Sequence, residues 1–98
     1  MTAGQQRALR ELERLRAVSA GCFDFHLVED EKSQRLIAHI TIRLGPMETR
    51  PGGLDLHERE NFLLCVPPGF PFDRPWVNVT HERFREFPHV VWGRTLCL

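Results

Sequence analysis

The sequence predicts an α+β fold, in which an N-terminal helix precedes a four-stranded antiparallel meander and a cysteine-bearing loop. Two observations predict this class. Apolar residues recur at three- and four-residue steps in residues 5–18, whereas further along the chain they alternate with polar residues at a period of two. A single amphipathic helix followed by such strands is expected to lie on one face of the sheet.

The helix is predicted over residues 5–18. Its apolar positions are Ala8, Leu12, Leu15 and Val18, and charged side chains occupy the other face. The run Ser19-Ala20-Gly21 ends it.

The first two strands are predicted to form a hairpin. Phe23, Phe25 and Leu27 alternate with polar residues, and the polar run 29–33 makes a turn. Residues 35–44 then carry the longest clean alternation in the chain, so we expect this second strand to be central. Its apolar side consists of Leu36, Ala38, Ile40, Ile42 and Leu44.

The third and fourth strands follow a loop that Gly45-Pro46 opens and residues 51–53 close. Residues 58–66 form the third strand, with Phe62, Leu64 and Val66 on one face, and residues 76–80 form the fourth. After Thr80 the alternation breaks, and the remainder is predicted to be loop. Loops carry a large share of binding and catalytic residues, so we expect the site there.

Length and charge limit the possible functions. A chain of 98 residues makes one domain, 1–98. Lysine plus arginine equals aspartate plus glutamate at 13 each, so the chain lacks the overall basic field that attracts nucleic acid or anionic membrane. We therefore expect protein partners, with no nucleic acid and no membrane.

The cysteines and the N-terminus indicate a cytoplasmic protein. Cys22, Cys65 and Cys97 form no C-x-x-C pair, and their odd number leaves one thiol free in any disulfide scheme. The N-terminus lacks the apolar run of a signal peptide. The five histidines lack close metal spacing, so we predict no metal and no cofactor, although His81, His89 and Cys97 could converge in space.

Three features of the last third of the chain stand in a fixed order: a proline-rich turn over residues 67–75, the tripeptide Phe87-Pro88-His89, and Cys97. This order resembles the ubiquitin-conjugating (E2) fold family, in which a YPF-x-x-P turn follows the third strand and an HPN tripeptide stands eight residues ahead of the catalytic cysteine. The resemblance spans essentially the whole chain and implies the front part of that fold, without its C-terminal helices. We therefore expect the domain to be truncated at its C-terminus.

The resemblance implies that Cys97 and His89 are the catalytic residues. A thiolate is a strong nucleophile, and a thioester is activated toward amines, so Cys97 is suited to carrying an acyl group. His89 stands at the position of the family's asparagine, where an imidazole can donate to an oxyanion or accept a proton from an amine. Two simpler interpretations stay open: Leu96-Cys97-Leu98 as a packed apolar triplet, and His89 as a surface histidine.

Two residues depart from the family pattern. His89 replaces its asparagine, and Phe87 replaces its histidine with an apolar side chain. These departures look more like the divergent bacterial E2-like proteins that are associated or fused with E1-like (ThiF-type) adenylating enzymes.

Other residues are predicted to support the site. The structural set around it is Pro71, Phe72, Pro75, Pro88, Trp92 and Gly93. Prolines stiffen the turn, Phe70 and Phe72 are expected to hold it against the core, and Gly93 can take a positive φ. Trp92 is expected either to shield the thiol from water or to fill the core.

A basic stripe on the helix is a candidate partner surface. It consists of Arg7, Arg10 and Arg14. In the E2 family the first helix meets the activating enzyme, so the resemblance implies contact with an E1-like partner. The alternative is pairing within the helix, for which Glu11 and Glu13 are within reach.

Two functions therefore remain. The first is an E2-like carrier that accepts a ubiquitin-like protein from an E1-like enzyme on Cys97 and transfers it to an amine. The second is an RWD-like or cysteine-inactive E2-like module that only binds a partner, because the related RWD domains carry a similar proline turn. A cysteine hydrolase with His89 as base is a minor third possibility, since no Asp or Asn orienter is evident nearby.

Overall fold

The structure is a computed structural model, and it describes residues 1–28, 30, 32–45, 51, 56–84, 90–91 and 95–96. The elements are α1 Ala3–Val18, β1 Phe23–Val28, β2 Leu36–Arg43, β3 Arg59–Val66, β4 Trp76–Asn78, β5 Val90–Val91 and β6 Thr95–Leu96. The predicted α+β class is confirmed, with one N-terminal helix followed by an antiparallel meander.

The sheet of the described residues has the strand order β1-β2-β3-β4-β6-β5, and all neighbours are antiparallel. The first four strands form the predicted meander. β2 is paired along both sides, with Phe25 opposite Ile40 in β1 and Phe62 opposite Ile40 in β3. The last two strands were predicted as loop.

α1 begins at Ala3, two residues before the predicted start, because Thr2 and Gln5 form a capping box. The Gln5 backbone N–H donates to Thr2 Oγ1 at 3.2 Å, and the Thr2 backbone N–H donates to Gln5 Oε1 at 3.1 Å. Gln5 Nε2 also donates to the Gln34 carbonyl at 2.8 Å and the Val66 carbonyl at 3.1 Å. One buried amide therefore fixes the helix N-terminus over the ends of β2 and β3.

The core lies between α1 and one face of the sheet. Its buried members are Leu12, Phe25, Ala38 and Ile40. The helix meets the sheet through Gln5, Leu9 and Leu12, and Arg16 extends this stripe by lying 4.5 Å from the centroid of the Phe25 ring.

The buried face of α1 is therefore rotated from the one that the sequence predicts. Leu15 and Val18 were assigned to the apolar face but are 48% and 72% exposed. Gln5 and Arg16 are polar, so the apolar period did not reveal the stripe that packs against the sheet.

Candidate functional site

The proline turn, residues 67–75, connects β3 to β4, as the sequence predicts for the turn after the third strand. Its backbone closes on itself: Phe70 N–H donates to the Pro67 carbonyl at 3.1 Å, and Phe72 N–H donates to the Gly69 carbonyl at 2.9 Å. The Phe70–Pro71 peptide bond is cis. A Cβ at Gly69 would overlap the Asp73 carboxylate, which would have to move to make room for it.

The turn packs against the start of α1. Gly4 stands so close to the Phe70 carbonyl that no Cβ would fit between them. Next to this contact is a groove of about 390 Å³ between α1, β3 and the turn. Arg7 and Glu11 lie on its helix side, and Phe70, Pro71 and Pro75 lie on its turn side.

Phe72 is at the tip of the turn and is 95% exposed. The expectation that Phe72 holds the turn against the core is therefore wrong, whereas Phe70 lies beside Gly4 at the start of α1. The sequence pattern did not separate the two rings, because they stand two residues apart across a proline.

β5 and β6 occupy the segment that leads to Cys97. Val77 of β4 pairs with Leu96 of β6, and Asn78 pairs with Thr95, whose Oγ1 donates to Asn78 Oδ1 at 2.8 Å. The prediction of loop throughout this segment is wrong for these four residues of β5 and β6. Strands of two residues are too short to show an alternation of apolar and polar residues, and they form only by pairing with a distant strand.

The proposed catalytic residues Cys97 and His89 lie outside the described residues, as do Pro88, Trp92 and Gly93. Their predicted roles stay predictions. The described residue nearest to Cys97 in the sequence is Leu96, which is paired to β4, the strand that begins directly after Pro75.

The other two cysteines are in contrasting environments. Cys22 is exposed after the end of α1, whereas Cys65 is 7% exposed within β3. Burial raises the pKa of the Cys65 thiol, and Asp30 adds to the increase while Arg35 opposes it. Cys65 is therefore a poor nucleophile, and Cys22 is an accessible thiol that serves as an internal reference.

The three helix arginines of the predicted partner surface do not form the ion pairs within the helix that the alternative prediction required. In the described part of the chain, no carboxylate lies within ion-pair distance of Arg7, Arg10 or Arg14. Pairing within the helix therefore does not account for them. Arg7 borders the groove beside the proline turn, and Arg10 and Arg14 are exposed.

A charged cluster that the sequence analysis missed lies at the start of β3. We call Glu60, His81 and Arg83 the Glu60 cluster. The Glu60 side chain is only 1% exposed, and Arg83 Nη2 donates to its two oxygens at 2.6 and 2.9 Å. The His57 backbone N–H donates to the same carboxylate at 3.3 Å.

His81 packs beside this ion pair. Its Nδ1 accepts from the Arg83 backbone N–H at 3.3 Å, so the neutral ring carries its proton on Nε2, which lies 3.7 Å from Glu60 Oε2. Nε2 is buried without a hydrogen-bond partner, and the ring meets Phe84 edge-on at 4.8 Å between centroids. Burial and the Arg83 charge lower the pKa of His81, and Glu60 opposes them.

The Glu60 cluster attaches residues 81–84 to β3 by charge and aromatic contact. Both imidazole nitrogens of His81 face protein groups, so this histidine is not available as a base for an external substrate. The sequence could have predicted this ion pair. Glu60 is in phase with Phe62, Leu64 and Val66, and a charge on a buried strand face requires a partner.

Among the described residues, no group of three or more His, Cys, Asp or Glu side chains is placed to hold a metal ion. In the same part of the chain, no helix has both the length and the apolar character needed to cross a bilayer.

Comparison with known proteins gives no match of this chain to a protein-family model, to a curated protein or to a solved structure.

Proposed function

We propose that this chain is an E2-like carrier that accepts a ubiquitin-like protein from an E1-like adenylating enzyme as a thioester on Cys97 and transfers it to an amine. The observation that carries the proposal is the pairing of Leu96 with Val77 of β4. This pairing anchors Leu96, the residue before Cys97, to β4, the strand that follows the proline turn. The order of helix, meander, proline turn and cysteine supports the same interpretation.

The reaction has two steps. The Cys97 thiolate attacks the thioester carbonyl on the E1-like enzyme, a new carbon–sulfur bond forms, and the enzyme's thiolate leaves. An amine then attacks the Cys97 thioester, an amide forms, and the Cys97 thiolate leaves. His89 is proposed to stabilise the oxyanion or to accept the proton that the amine loses.

The different environments of Cys22 and Cys65 allow the proposal to be tested by thiol reactivity. Cys65 is buried with a raised pKa, so it does not compete for the acyl group. Cys22 is exposed and provides an accessible reference thiol in the same molecule. We expect Cys97 to react with iodoacetamide faster than Cys22 at pH 7, and Cys65 to react slowest, as measured by mass spectrometry of each cysteine peptide.

The decisive assay uses an E1-like enzyme and a ubiquitin-like protein from the same genome, with ATP. A thiol-labile adduct is expected with the native chain, no adduct with Cys97→Ala, and a thiol-resistant ester with Cys97→Ser. Cys22→Ser is the matched control and should charge normally. An adduct that persists on Cys97→Ala would contradict the assignment.

Phe72 favours one alternative, a module that only binds a partner. A phenylalanine that is 95% exposed beside an open groove is suited to protein contact without any chemistry at Cys97. Under this alternative, Cys97 reacts with iodoacetamide no faster than Cys22. Phe72→Ala then abolishes partner binding, while Cys97→Ala leaves binding intact.

A further inference from the structure

Among the described residues, three arginines line a hollow at one end of the sheet, where α1 lies beside the ends of β1, β2 and β3. It has a volume of about 400 Å³. Arg16 of α1, Arg43 of β2 and Arg59 of β3 meet there, with Asp24 and Thr41 beside them. We call it the arginine hollow. It is distinct from the proline turn and from the segment that leads to Cys97.

Arg43 and Arg59 are directly opposite each other on neighbouring strands. The next pair along the strands is hydrogen-bonded, because Leu44 N–H donates to the Glu58 carbonyl at 2.7 Å. Bonded and non-bonded pairs alternate in an antiparallel ladder, so Arg43 and Arg59 form the type of pair whose side chains come closest. Like charges in this arrangement destabilise the sheet.

Among the described residues, the hollow has less negative than positive charge. Its one lining carboxylate, Asp24, lies 3.8 Å from Arg16, which also donates to the Phe25 carbonyl at 3.4 Å. In the described part of the chain, neither Arg43 nor Arg59 makes an ion pair. Counted over the residues that the structure describes, three guanidinium groups and one carboxylate line the hollow, an excess of two positive charges.

The available hydrogen-bond donors are therefore guanidinium groups. Thr41 already donates its hydroxyl proton to Asn61 Oδ1 at 2.9 Å, so its oxygen can accept but not donate. Guanidinium groups match the oxygens of a tetrahedral dianion, and such charge-assisted bonds are short and strong. A single carboxylate would neutralise one of the two charges, whereas a phosphate dianion neutralises both.

We propose that the arginine hollow binds a phosphate monoester, with Arg43 and Arg59 holding the phosphoryl oxygens. The hollow is larger than a phosphoryl group, and Phe23 is among its lining residues, so there is room for an organic group beside the phosphate. The phosphate ester can belong to a free small molecule or to a phosphorylated side chain, and both present the same chemistry.

The test is calorimetric titration of the chain with phenyl phosphate at constant ionic strength. Saturable binding is expected at pH 7.5 and weaker binding at pH 5, because a phosphate monoester loses its second charge near pH 6 while arginine stays charged. Arg43→Gln and Arg59→Gln should each weaken binding by about tenfold or more, the size expected for loss of hydrogen bonds to a charged group. Arg74→Gln, at an exposed position in the proline turn, is the control and should bind as the native chain does.

A second measurement separates binding from a structural role. Without ligand, Arg59→Gln should unfold at higher urea than the native chain, because the variant removes the like-charge pair. Absence of saturable binding, equal loss in Arg74→Gln, or equally tight binding of benzoate would each overturn the proposal.

A phosphotyrosine peptide distinguishes the two sources of the phosphate. Binding of the peptide at least tenfold tighter than phenyl phosphate identifies a phosphorylated protein as the source. Equal affinity identifies a small phosphate ester.

Discussion

The core under α1 and the Glu60 cluster involve the same strand of the sheet but are held together differently. β3 contributes Phe62 and Leu64 to the core, and Glu60 stands two residues before Phe62 in the same phase. Around Leu12 the interactions are apolar and nondirectional. Around Glu60 they depend on one carboxylate and the groups that surround it.

This difference determines how each region responds to change. An apolar core loses stability in proportion to the area and volume removed, and salt or pH has little influence on it. A buried ion pair adds little stability over an apolar substitute, yet removing one partner leaves an uncompensated charge inside the protein. Mutations in the two regions should therefore affect the free energy of unfolding in clearly different ways.

The largest effect is expected from Arg83→Ala. Glu60 would remain 1% exposed without the guanidinium that donates to both of its oxygens. We expect a loss of about 3 to 4 kcal/mol in the free energy of unfolding, measured by urea denaturation. The double variant Glu60→Leu with Arg83→Leu should lose less than Arg83→Ala alone, and a larger loss in the double variant would contradict this account.

A somewhat smaller effect is expected from Leu12→Ala in the core. Leu12 is 6% exposed, and its truncation leaves a cavity against Phe25 and Ile40. We expect a loss of about 2 to 3 kcal/mol that is the same at low and high salt. Leu15→Ala is the matched control on the same helix, since Leu15 is 48% exposed and should cost less than about 1 kcal/mol.

The junction of helix and sheet should respond to Gln5→Ala. The variant removes the acceptor for Thr2 N–H and the donor to the Gln34 and Val66 carbonyls. We expect a loss of about 1 to 3 kcal/mol, against about 1 kcal/mol for Thr2→Ala, which removes only the cap. Strictly additive losses in the double variant would show that the capping box is not reciprocal.

The smallest effect is a dependence of stability on pH. Burial and Arg83 lower the pKa of His81 in the folded state, so below about pH 6.5, the usual histidine value, the unfolded chain binds the proton more readily. The free energy of unfolding should therefore fall as the pH is lowered from 6.5 toward the folded-state pKa. Urea midpoints at pH 7.5, 6.5 and 5.5 measure this effect.

His81→Gln removes the titrating ring and should flatten this pH dependence. His26→Gln, at an exposed position on β1, leaves the Glu60 cluster in place and should retain it. An unchanged slope in His81→Gln would assign the effect to another group.

The sequence predicted those parts of the fold that depend on periodic burial. Residues 23–28, 36–43 and 59–66 alternate over six to eight positions, enough to show a strand. The start of α1 was predicted two residues too late, although the sequence contains the capping-box pattern Thr2-x-x-Gln5. The sequence did not predict pairings between residues that lie far apart in the chain. Arg83 stands 23 residues from Glu60, and β6 pairs with β4 across the intervening segment.

The candidate site was predicted less completely. The proline turn lies where expected and is closed by its own backbone, but the exposure of Phe72 depends on which way a ring points at the tip of a turn. Period and composition do not determine that direction. For Cys97 and His89, which lie outside the described residues, the thiol assays provide the test.

Because β6 lies between β4 and β5 in the sheet, the order in which the ribosome makes these strands differs from the order in which they can pair. As the chain emerges from the ribosome, each of β2, β3 and β4 finds its neighbour already made. β5 does not, because its one described neighbour, β6, is translated after it. The far edge of the sheet is therefore completed in reverse order of translation, because β5 cannot pair with β6 until residues 95–96 have been made.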